Sequence, residues 1–207
     1  MDLFGGSTSK GPSTKRFDLP DAEVLLLPGF LGQAAADTLL DRLLHGVDWR
    51  QDTVVVFGKR HPQPRLTQWF GPPGHTYSYS GVDMQPIAWP AWLKACKHQV
   101  ESASGATYNS VLANLYRNGQ DTVGWHADNE PELGHQPHIA SLSLGAVRDF
   151  RLKHRTRRDV DPVTVNLGHG DLLLMAGNTQ HAWLHTVPRR AGVSQPRVNL
   201  TFRHLIA

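Results

Sequence analysis

A histidine and an aspartate two residues apart could hold a metal ion in the segment Gly124-Trp125-His126-Ala127-Asp128. Side chains two residues apart on a β-strand point to the same face, so His126 and Asp128 can contact one cation together. The same pair also arises by chance in surface turns with a solvated carboxylate. The pair therefore indicates a metal site only if further ligands come from elsewhere in the chain.

Further imidazoles follow later in the sequence. His181 and His185 share one face of a predicted strand, and the spacing alone leaves both open as a third ligand. His135 and His138 are further candidates in a stretch with Gly and Pro that is typical of a loop. Two histidines and one carboxylate form the facial triad of non-haem Fe(II) oxygenases, although zinc can bind the same residue types.

The last predicted strand carries a polar face and an apolar face. Its polar face consists of Arg197, Asn199, Thr201 and Arg203, and its apolar face of Val198, Leu200 and Phe202. If the polar face is exposed to solvent, the two arginines only improve solubility. If it lines a small barrel, the buried guanidiniums must meet anions, and a bound dicarboxylate would supply them through paired hydrogen bonds. A simple zinc hydrolase has no need of two buried guanidiniums.

The elements that must position these residues fall into two groups. Apolar periodicity predicts helices over 33–45 and 90–103, with Gly46 ending the first and Pro90 at the first position of the second. Cys96 lies on the apolar stripe of the second helix, which favours a core residue over a nucleophile. Short strands separated by turns predict an antiparallel sandwich, jelly roll or barrel with flanking helices. The predicted strands cover 110–116, 123–128, 139–147, 149–154, 163–167, 171–175, 181–187 and 197–205, after earlier strands at 54–56 and 77–79.

Composition restricts the class of protein. The chain has 207 residues, 40% of them hydrophobic and 19% charged, which fits one soluble domain. Residues 1–18 are rich in Gly, Ser and Lys and predict a disordered tail. One cysteine excludes an intrachain disulfide and multi-cysteine zinc or iron–sulfur sites. No apolar run or secretory signal is visible, so we expect an intracellular protein without a membrane segment.

The motifs together resemble the AlkB family of Fe(II)- and 2-oxoglutarate-dependent nucleic-acid dealkylases over about residues 50–205. The resemblance is carried by Asn114-Leu115-Tyr116, His126-Ala127-Asp128, His185 and the strand from Arg197 to Arg203. It implies a mainly β double-stranded β-helix (jelly roll) core in a domain over 19–207, with helices and base-handling segments over 19–105 and the core over 106–207. It implies that iron is bound by His126, Asp128 and His185. The implied 2-oxoglutarate site consists of Asn114, Tyr116, Arg197, Asn199, Thr201 and Arg203.

The resemblance is strongest to the branch of the family that repairs duplex DNA. It implies that Val56, Phe57 and Gly58 form a hydrophobic finger that fills the gap left by an extruded base. Tyr77 and Tyr79 would stack on that base. Without the family match, these two segments also fit a core strand with a turn and ordinary cross-strand aromatics. The resemblance further implies that Asn129 and Glu130 contact the base edge, although Asn129 replaces an acid and can donate as well as accept hydrogen bonds.

Basic residues near these segments could contact a phosphate backbone. They are Arg148, Arg151, Lys153, Arg155, Arg157 and Arg158 in one run, and Lys59, Arg60 and Arg65 near the finger. A solvated hairpin is the alternative for the first run. The net charge of +3 favours anionic partners in either case.

The resemblance implies an oxidative demethylase that repairs N-alkylated bases such as 1-methyladenine and 3-methylcytosine in DNA, with RNA as a second candidate. Fe(II) would be the cofactor, 2-oxoglutarate and O₂ would be consumed as co-substrates, and formaldehyde, succinate and CO₂ would be released. The expected partner is alkylated DNA, single or double stranded, and the expected state is a monomer, cytoplasmic in a bacterium or nuclear in a eukaryote. The alternatives are a hydroxylase of a protein or small molecule, and a non-catalytic nucleic-acid-binding protein that retains the fold.

Overall fold

The computed structural model describes residues 13–56, 59–72, 77–79, 82–84 and 86–206. The helices are α1 (Gln33–Gly46), α2 (Ala91–Ser104) and the short α3 (Thr179–Ala182). The first seven strands are β1 (Lys15–Phe17), β2 (Glu23–Leu27), β3 (Thr53–Val56), β4 (Lys59–Pro62), β5 (Leu66–Phe70), β6 (Tyr77–Tyr79) and β7 (Val82–Met84). The later strands are β8 (Ser110–Tyr116), β9 (Val123–His126), β10 (Ile139–Gly145), β11 (Arg148–His154), β12 (Val163–Leu167), β13 (Leu172–Ala176), β14 (Trp183–Val187) and β15 (Arg197–Arg203).

Both long helices form where the apolar spacing predicts them. Helix α1 buries Ala36, Leu39 and Leu43, and helix α2 buries Leu93, Cys96 and Val100. Pro90 precedes the first helical residue of α2 as its N-cap instead of occupying the first helical position. The helix ends at Gly105, whose left-handed φ of 70° is the conformation that glycine adopts most easily at a C-terminus. Among the described residues, no helix is long and apolar enough to cross a membrane.

The strands form two main antiparallel sheets. The larger has the order β1-β2-β13-β10-β15-β8-β5, and the smaller has the order β12-β11-β14-β9. The short hairpins β3-β4 and β6-β7 are separate. The predicted fold class is confirmed as mainly β with flanking helices and a jelly-roll core, and all eight later strands match their predicted spans to within two residues at each end.

Alternation along the strands of the large sheet produces two hydrophobic layers. One face, with Ala113, Leu142 and Leu200, packs against α1 and α2. The opposite face, with Leu112 and Leu173, packs against the small sheet. The molecule is therefore built as helices, a large sheet and a small sheet, and the space between the two sheets holds the predicted functional residues.

Strand β15 shows this alternation most clearly. Val198, Leu200 and Phe202 are fully buried in the layer beneath the helices. Arg197 and Arg203 are also buried and belong to the opposite face, between the sheets. The interior position predicted for the polar face is therefore the one that the fold adopts, and the solvent-exposed alternative is wrong.

Two predicted boundaries differ from the structure. The disordered tail predicted for residues 1–18 is wrong for Lys15–Phe17, which pair with β2 because that strand offers its free backbone edge, and Phe17 packs against the inter-sheet core. The predicted strand over 181–187 begins only at Trp183. Residues 181 and 182 belong to α3 instead, because their backbone N–H groups donate to the carbonyl of Asn178.

Candidate active site

Two side chains from neighbouring strands and one from just past the end of a strand meet between the sheets. His126 ends β9, Asp128 follows two residues later, and His185 lies in β14 directly opposite His126 in the strand register. One ligand atom from each lies within 4.8 Å of the others, and among the described residues this is the cluster that could hold a metal ion. The spacing in the sequence therefore pairs His126 with Asp128, and the pairing of β9 with β14 brings His185 beside them.

The other histidines considered as third ligands lie elsewhere. His181 is on α3 and donates a hydrogen bond from its ring to the carbonyl of His135. Nδ1 of His138 forms a hydrogen bond with the hydroxyl of Tyr108 (2.8 Å). His185 is therefore the candidate that the fold places beside His126 and Asp128.

Burial sets the protonation states of the cluster. Burial lowers the pKa of His126 and lowers that of His185 to about 3, so both imidazoles are neutral and can bind a metal at pH 7. Burial opposes ionisation of Asp128, which is 1% exposed, yet chiefly the charge and hydrogen bond of the Arg203 guanidinium lower its pKa to about 2. The cluster therefore offers two neutral nitrogens and one carboxylate.

Neighbouring groups orient each ligand. His126 donates from Nδ1 to the carbonyl of Gly124 (2.9 Å), which leaves Nε2 for a metal ion. Nη2 of Arg203 lies 3.0 Å from Oδ2 of Asp128. The backbone N–H of Asp128 donates to Oε1 of Gln180 (2.9 Å), a residue that the sequence did not single out because a lone glutamine carries no ligand signal.

The donor set fits the metal that the triad indicates. Oδ1 of Asp128 is buried and has no hydrogen-bond partner among the described residues. A buried carboxylate oxygen without a partner is costly, and coordination to a cation would satisfy it. Two imidazoles and one carboxylate suit Fe(II), with positions left over for other ligands.

A second charged group lines the same cavity. Arg197 is 2% exposed, and burial lowers its pKa to about 10. Its Nη2 donates to Oγ of Ser143 (2.9 Å), and its guanidinium stacks on the ring of Tyr116 at 5.2 Å. Its Nε and Nη1 have no acceptor among the described residues. A guanidinium fork in this state is suited to a carboxylate ligand.

All nine residues predicted to bind iron or 2-oxoglutarate line one cavity between the sheets. Some of their polar groups already bond to one another: Asn199 donates to Oγ of Ser141 (2.8 Å), and Thr201 donates to Oδ1 of Asn199 (2.9 Å). The nine residues are Asn114, Tyr116, His126, Asp128, His185, Arg197, Asn199, Thr201 and Arg203.

The residues predicted to contact a base are less completely described. Phe57 and Gly58 lie outside the described residues, as do the side chains of Val56, Tyr77 and Tyr79, whose backbones belong to β3 and β6. Asn129 is exposed and Glu130 is half-buried directly after Asp128.

Two of the predicted phosphate contacts are wrong. Arg148 is fully buried and donates to the carbonyls of Asn118 (3.0 Å), Asp121 (2.7 Å) and Pro188 (2.7 Å), so it joins loops inside the protein. Arg65 is also buried. It lines the cavity and donates from Nε to Oδ1 of Asn114 (2.8 Å). The net charge of a sequence segment could not reveal that these two arginines point inward.

Comparison with known proteins identifies the class. A family model described as the 2OG-Fe(II) oxygenase superfamily matches residues 23–203. The chain belongs to this superfamily, whose chemistry uses Fe(II) with 2-oxoglutarate and O₂. The predicted cofactor and co-substrates and the prediction of a dioxygenase are confirmed, and the zinc alternative is wrong.

Within the superfamily, the chain belongs to the AlkB family. Human alpha-ketoglutarate-dependent dioxygenase alkB homolog 3 is 43% identical over 190 residues, which are 88% of this chain and 66% of that protein. Mouse DNA oxidative demethylase ALKBH2 is 40% identical over 224 residues, covering 99% of this chain and 94% of that protein. The solved structure of OsALKBH1 is similar in fold, with a TM-score of 0.63, 19% identity, and 87% of this chain and 96% of that chain covered. The chain thus spans slightly less than two thirds of the human relative.

Proposed function

We propose that this chain is an oxidative demethylase that repairs N-alkylated bases, of the 1-methyladenine and 3-methylcytosine type, in DNA. One observation carries the oxygenase part of the proposal: the His126, Asp128 and His185 cluster shares a cavity with the partly unpaired guanidinium of Arg197. The choice of DNA is supported by the mouse relative, a DNA oxidative demethylase, which aligns over 94% of its length. RNA is a second candidate substrate.

The nine cavity residues fall into a metal-binding set and a 2-oxoglutarate-binding set. His126, Asp128 and His185 would hold Fe(II), and Arg203 keeps the Asp128 carboxylate ionised for that purpose. Arg197 would pair with the 2-oxoglutarate carboxylate remote from the metal, beside Asn114, Tyr116, Asn199 and Thr201. When bound, Fe(II) couples oxidative decarboxylation of 2-oxoglutarate by O₂, giving succinate and CO₂, to hydroxylation of an N-methyl group that then leaves as formaldehyde.

Apolar side chains complete the cavity and limit the access of water. Leu112, Phe150 and Val187 line it from both sheets, and the ring of Phe150 stacks on the His185 imidazole with centroids 5.1 Å apart. A largely dry cavity strengthens the charge interactions of Arg197 and Asp128 and protects a reactive oxidant from side reactions. No general base is required, because oxidation of the methyl group itself destabilises its bond to the base.

The substrate side of the proposal rests on the residues that the family resemblance assigns to base handling. Val56, Phe57 and Gly58 would act as the finger that fills the gap left by a flipped base, and Tyr77 and Tyr79 would stack on that base. Asn129 and Glu130 would contact its edge, directly after the metal ligand Asp128. The proposed partner is alkylated DNA, bound by a monomer inside the cell.

The test uses protein loaded anaerobically with Fe(II) and 2-oxoglutarate and then exposed to air with oligonucleotides. The oligonucleotides carry 1-methyladenine or 3-methylcytosine, single stranded or in duplex, with unmethylated strands as controls. We expect restored bases by mass spectrometry, together with equal amounts of formaldehyde and succinate. His126→Ala and Asp128→Ala should abolish turnover, whereas His181→Ala, at the histidine outside the cluster, should retain it.

Each alternative predicts another result. A hydroxylase of a protein or small molecule would leave every methylated strand unchanged, and a non-catalytic binding protein would bind DNA without forming succinate. Either result contradicts the proposed function. Full turnover by His126→Ala with Fe(II) would instead contradict the ligand assignment.

A further inference from the structure

Trp125 presents a large apolar ring to solvent next to a metal ligand. It lies in β9 between Gly124 and His126, and the alternation of the strand places its indole on the outer face of the small sheet. The residue is 42% exposed, whereas an apolar side chain on the inner face of this sheet would be buried between the sheets. An exposed indole is therefore a surface feature that the packing of the core does not require.

A cation covers part of this indole. Nζ of Lys153, from β11, lies 4.4 Å from the centre of the Trp125 ring. Strand β14 lies between β11 and β9, and Leu184 is the residue paired with Lys153 in the register. The lysine thus extends over one strand to reach the ring, and the two side chains form one continuous surface, which we call the Trp125–Lys153 platform.

The surroundings of the platform are basic. Arg151 is exposed on the same face of β11, and Arg155 and Arg158 are exposed just after that strand. The carboxylate of Asp149, also in β11, contacts Arg190 at 3.1 Å, which offsets its charge. An aromatic ring with a lysine against it and an exposed arginine on the same face of the sheet is complementary to a nucleic-acid strand, which offers flat bases and phosphates together.

Trp125 of the platform directly precedes His126, the most exposed residue of the metal cluster. Strand β9 is the last strand in the order of the small sheet, so its outer edge is not covered by a further strand of that sheet. The side chain of His126 is 25% exposed, whereas that of Asp128 is 1% exposed, so the metal cluster opens to solvent on the side of β9. A strand with its target base in the cavity would have neighbouring nucleotides at the edge that carries Trp125.

We propose that the Trp125–Lys153 platform stacks on an unpaired base beside the target nucleotide and contacts the adjoining phosphate. Because a base within a duplex is already stacked on both faces, the platform selects single-stranded nucleic acid over duplex. This inference rests on the proposed function and adds to it the form of the substrate and two residues that recognise it.

The test measures binding without turnover. The holoprotein is loaded with Mn(II) and 2-oxoglutarate without O₂, and fluorescence anisotropy follows a labelled 12-nucleotide DNA with one 1-methyladenine, alone or paired with its complement. Trp125→Ala should weaken single-strand binding by about 5- to 100-fold, the loss of one stacked base, and weaken duplex binding much less. Trp125→Phe should keep most of the affinity. Lys153→Met should lower the salt dependence of single-strand binding by roughly 0.7 in slope.

Controls separate stacking from damage to the site. Val147→Ala trims another exposed apolar side chain outside the platform and should bind like the wild type. The Mn(II) affinity of Trp125→Ala shows whether the substitution has disturbed the metal ligand His126. If it has, the binding data for Lys153→Met test the inference instead, since Lys153 lies two strands away from that ligand.

Two results overturn the inference: wild-type affinity of Trp125→Ala for the single strand, or equal losses on single strand and duplex. An unchanged salt slope in Lys153→Met removes the proposed phosphate contact. In all these cases the proposed function stands if the wild type still restores the methylated base. If the wild type neither binds nor demethylates any methylated strand, the proposed function itself fails.

Discussion

Arg203 and Asp128 form a buried ion pair that joins the last strand to the metal cluster. Nη2 of Arg203 lies 3.0 Å from Oδ2 of Asp128, and the two residues are 4% and 1% exposed. The pair leaves Oδ1 of Asp128 for the metal ion. Strand β15 therefore contributes to both parts of the site, with Arg203 at the metal ligand and Arg197 at the diacid position.

Replacing Arg203 by methionine should weaken both folding and metal binding. The change leaves the Asp128 carboxylate buried without its cation, so its pKa rises, and breaking such a pair from one side costs about 3–5 kcal/mol of stability. Mn(II) affinity should fall about 10- to 100-fold, as expected when a group that orients a metal ligand is lost. Urea unfolding and Mn(II) titration measure the two effects. Arg190→Met, at the more exposed pair with Asp149, should cost at most about 1 kcal/mol.

Replacing Arg197 by methionine should have opposite effects on stability and on co-substrate binding. The guanidinium is buried with two nitrogens unpaired, so its removal should leave the protein without 2-oxoglutarate as stable as the wild type or more so. The wild type with Mn(II) should show a higher melting temperature when 2-oxoglutarate is added, and Arg197→Met should show no such increase. Ser143→Ala, which keeps the guanidinium, should retain a response. A full response in Arg197→Met would contradict its role.

The metal cluster and the strand that carries the arginines follow directly from sequence patterns. The i, i+2 spacing of His126 and Asp128, and the alternation of polar and apolar residues in β15, each determine which side chains share a face. The choice of His185 over His181 required either the family resemblance or the three-dimensional structure. What separates the two histidines is a short turn of helix at residues 179–182, and no periodicity in so few residues could predict it.

Two of the segments that sequence reasoning placed wrongly, Arg148 and residues 15–17, have distant backbone groups as their partners. Arg148 belongs to a basic run, but its acceptors are three carbonyls up to 40 positions away along the chain. Strand β1 forms because β2 offers a free edge, which depends on sheet order and not on the composition of the first residues. Charge density and composition describe local sequence only, so they predict neither kind of contact.

Gln180 should influence metal affinity without being a ligand. Its Oε1 accepts the backbone N–H of Asp128, and both residues are buried. In Gln180→Leu that N–H has no acceptor, so the segment carrying Asp128 loses its fixed position, and Mn(II) affinity should fall about tenfold. The neighbouring exposed residue offers a matched control, since His181→Ala should leave Mn(II) affinity unchanged. Equal Mn(II) affinity in Gln180→Leu and the wild type would contradict this role.

Arg148 should matter for stability and not for nucleic-acid binding. Arg148→Gln leaves three carbonyls in two loops, those of Asn118, Asp121 and Pro188, without their donor, at a cost of about 3 kcal/mol, which urea unfolding measures. The salt dependence of DNA binding by the folded variant should equal that of the wild type. Arg151→Gln, in the same run but exposed, should show the reverse, with unchanged stability and a lower salt slope.

Cys96 should make the folding free energy depend on alkaline pH. The thiol is buried on α2, and burial raises its pKa to about 12, whereas an unfolded thiol has a pKa of about 8.5. The folded protein therefore keeps the thiol neutral where the unfolded chain ionises it, so this contribution to stability is complete below about pH 8.5 and declines as pH rises toward 12. The decline is at most about 1.4 kcal/mol per pH unit.

Urea unfolding from pH 8 to 10.5 should show a steeper loss of unfolding free energy for the wild type than for Cys96→Ala, and native Cys96 should resist iodoacetamide at pH 8. Parallel curves for the two proteins, or rapid alkylation of the native thiol, would show that the thiol is not held neutral by burial.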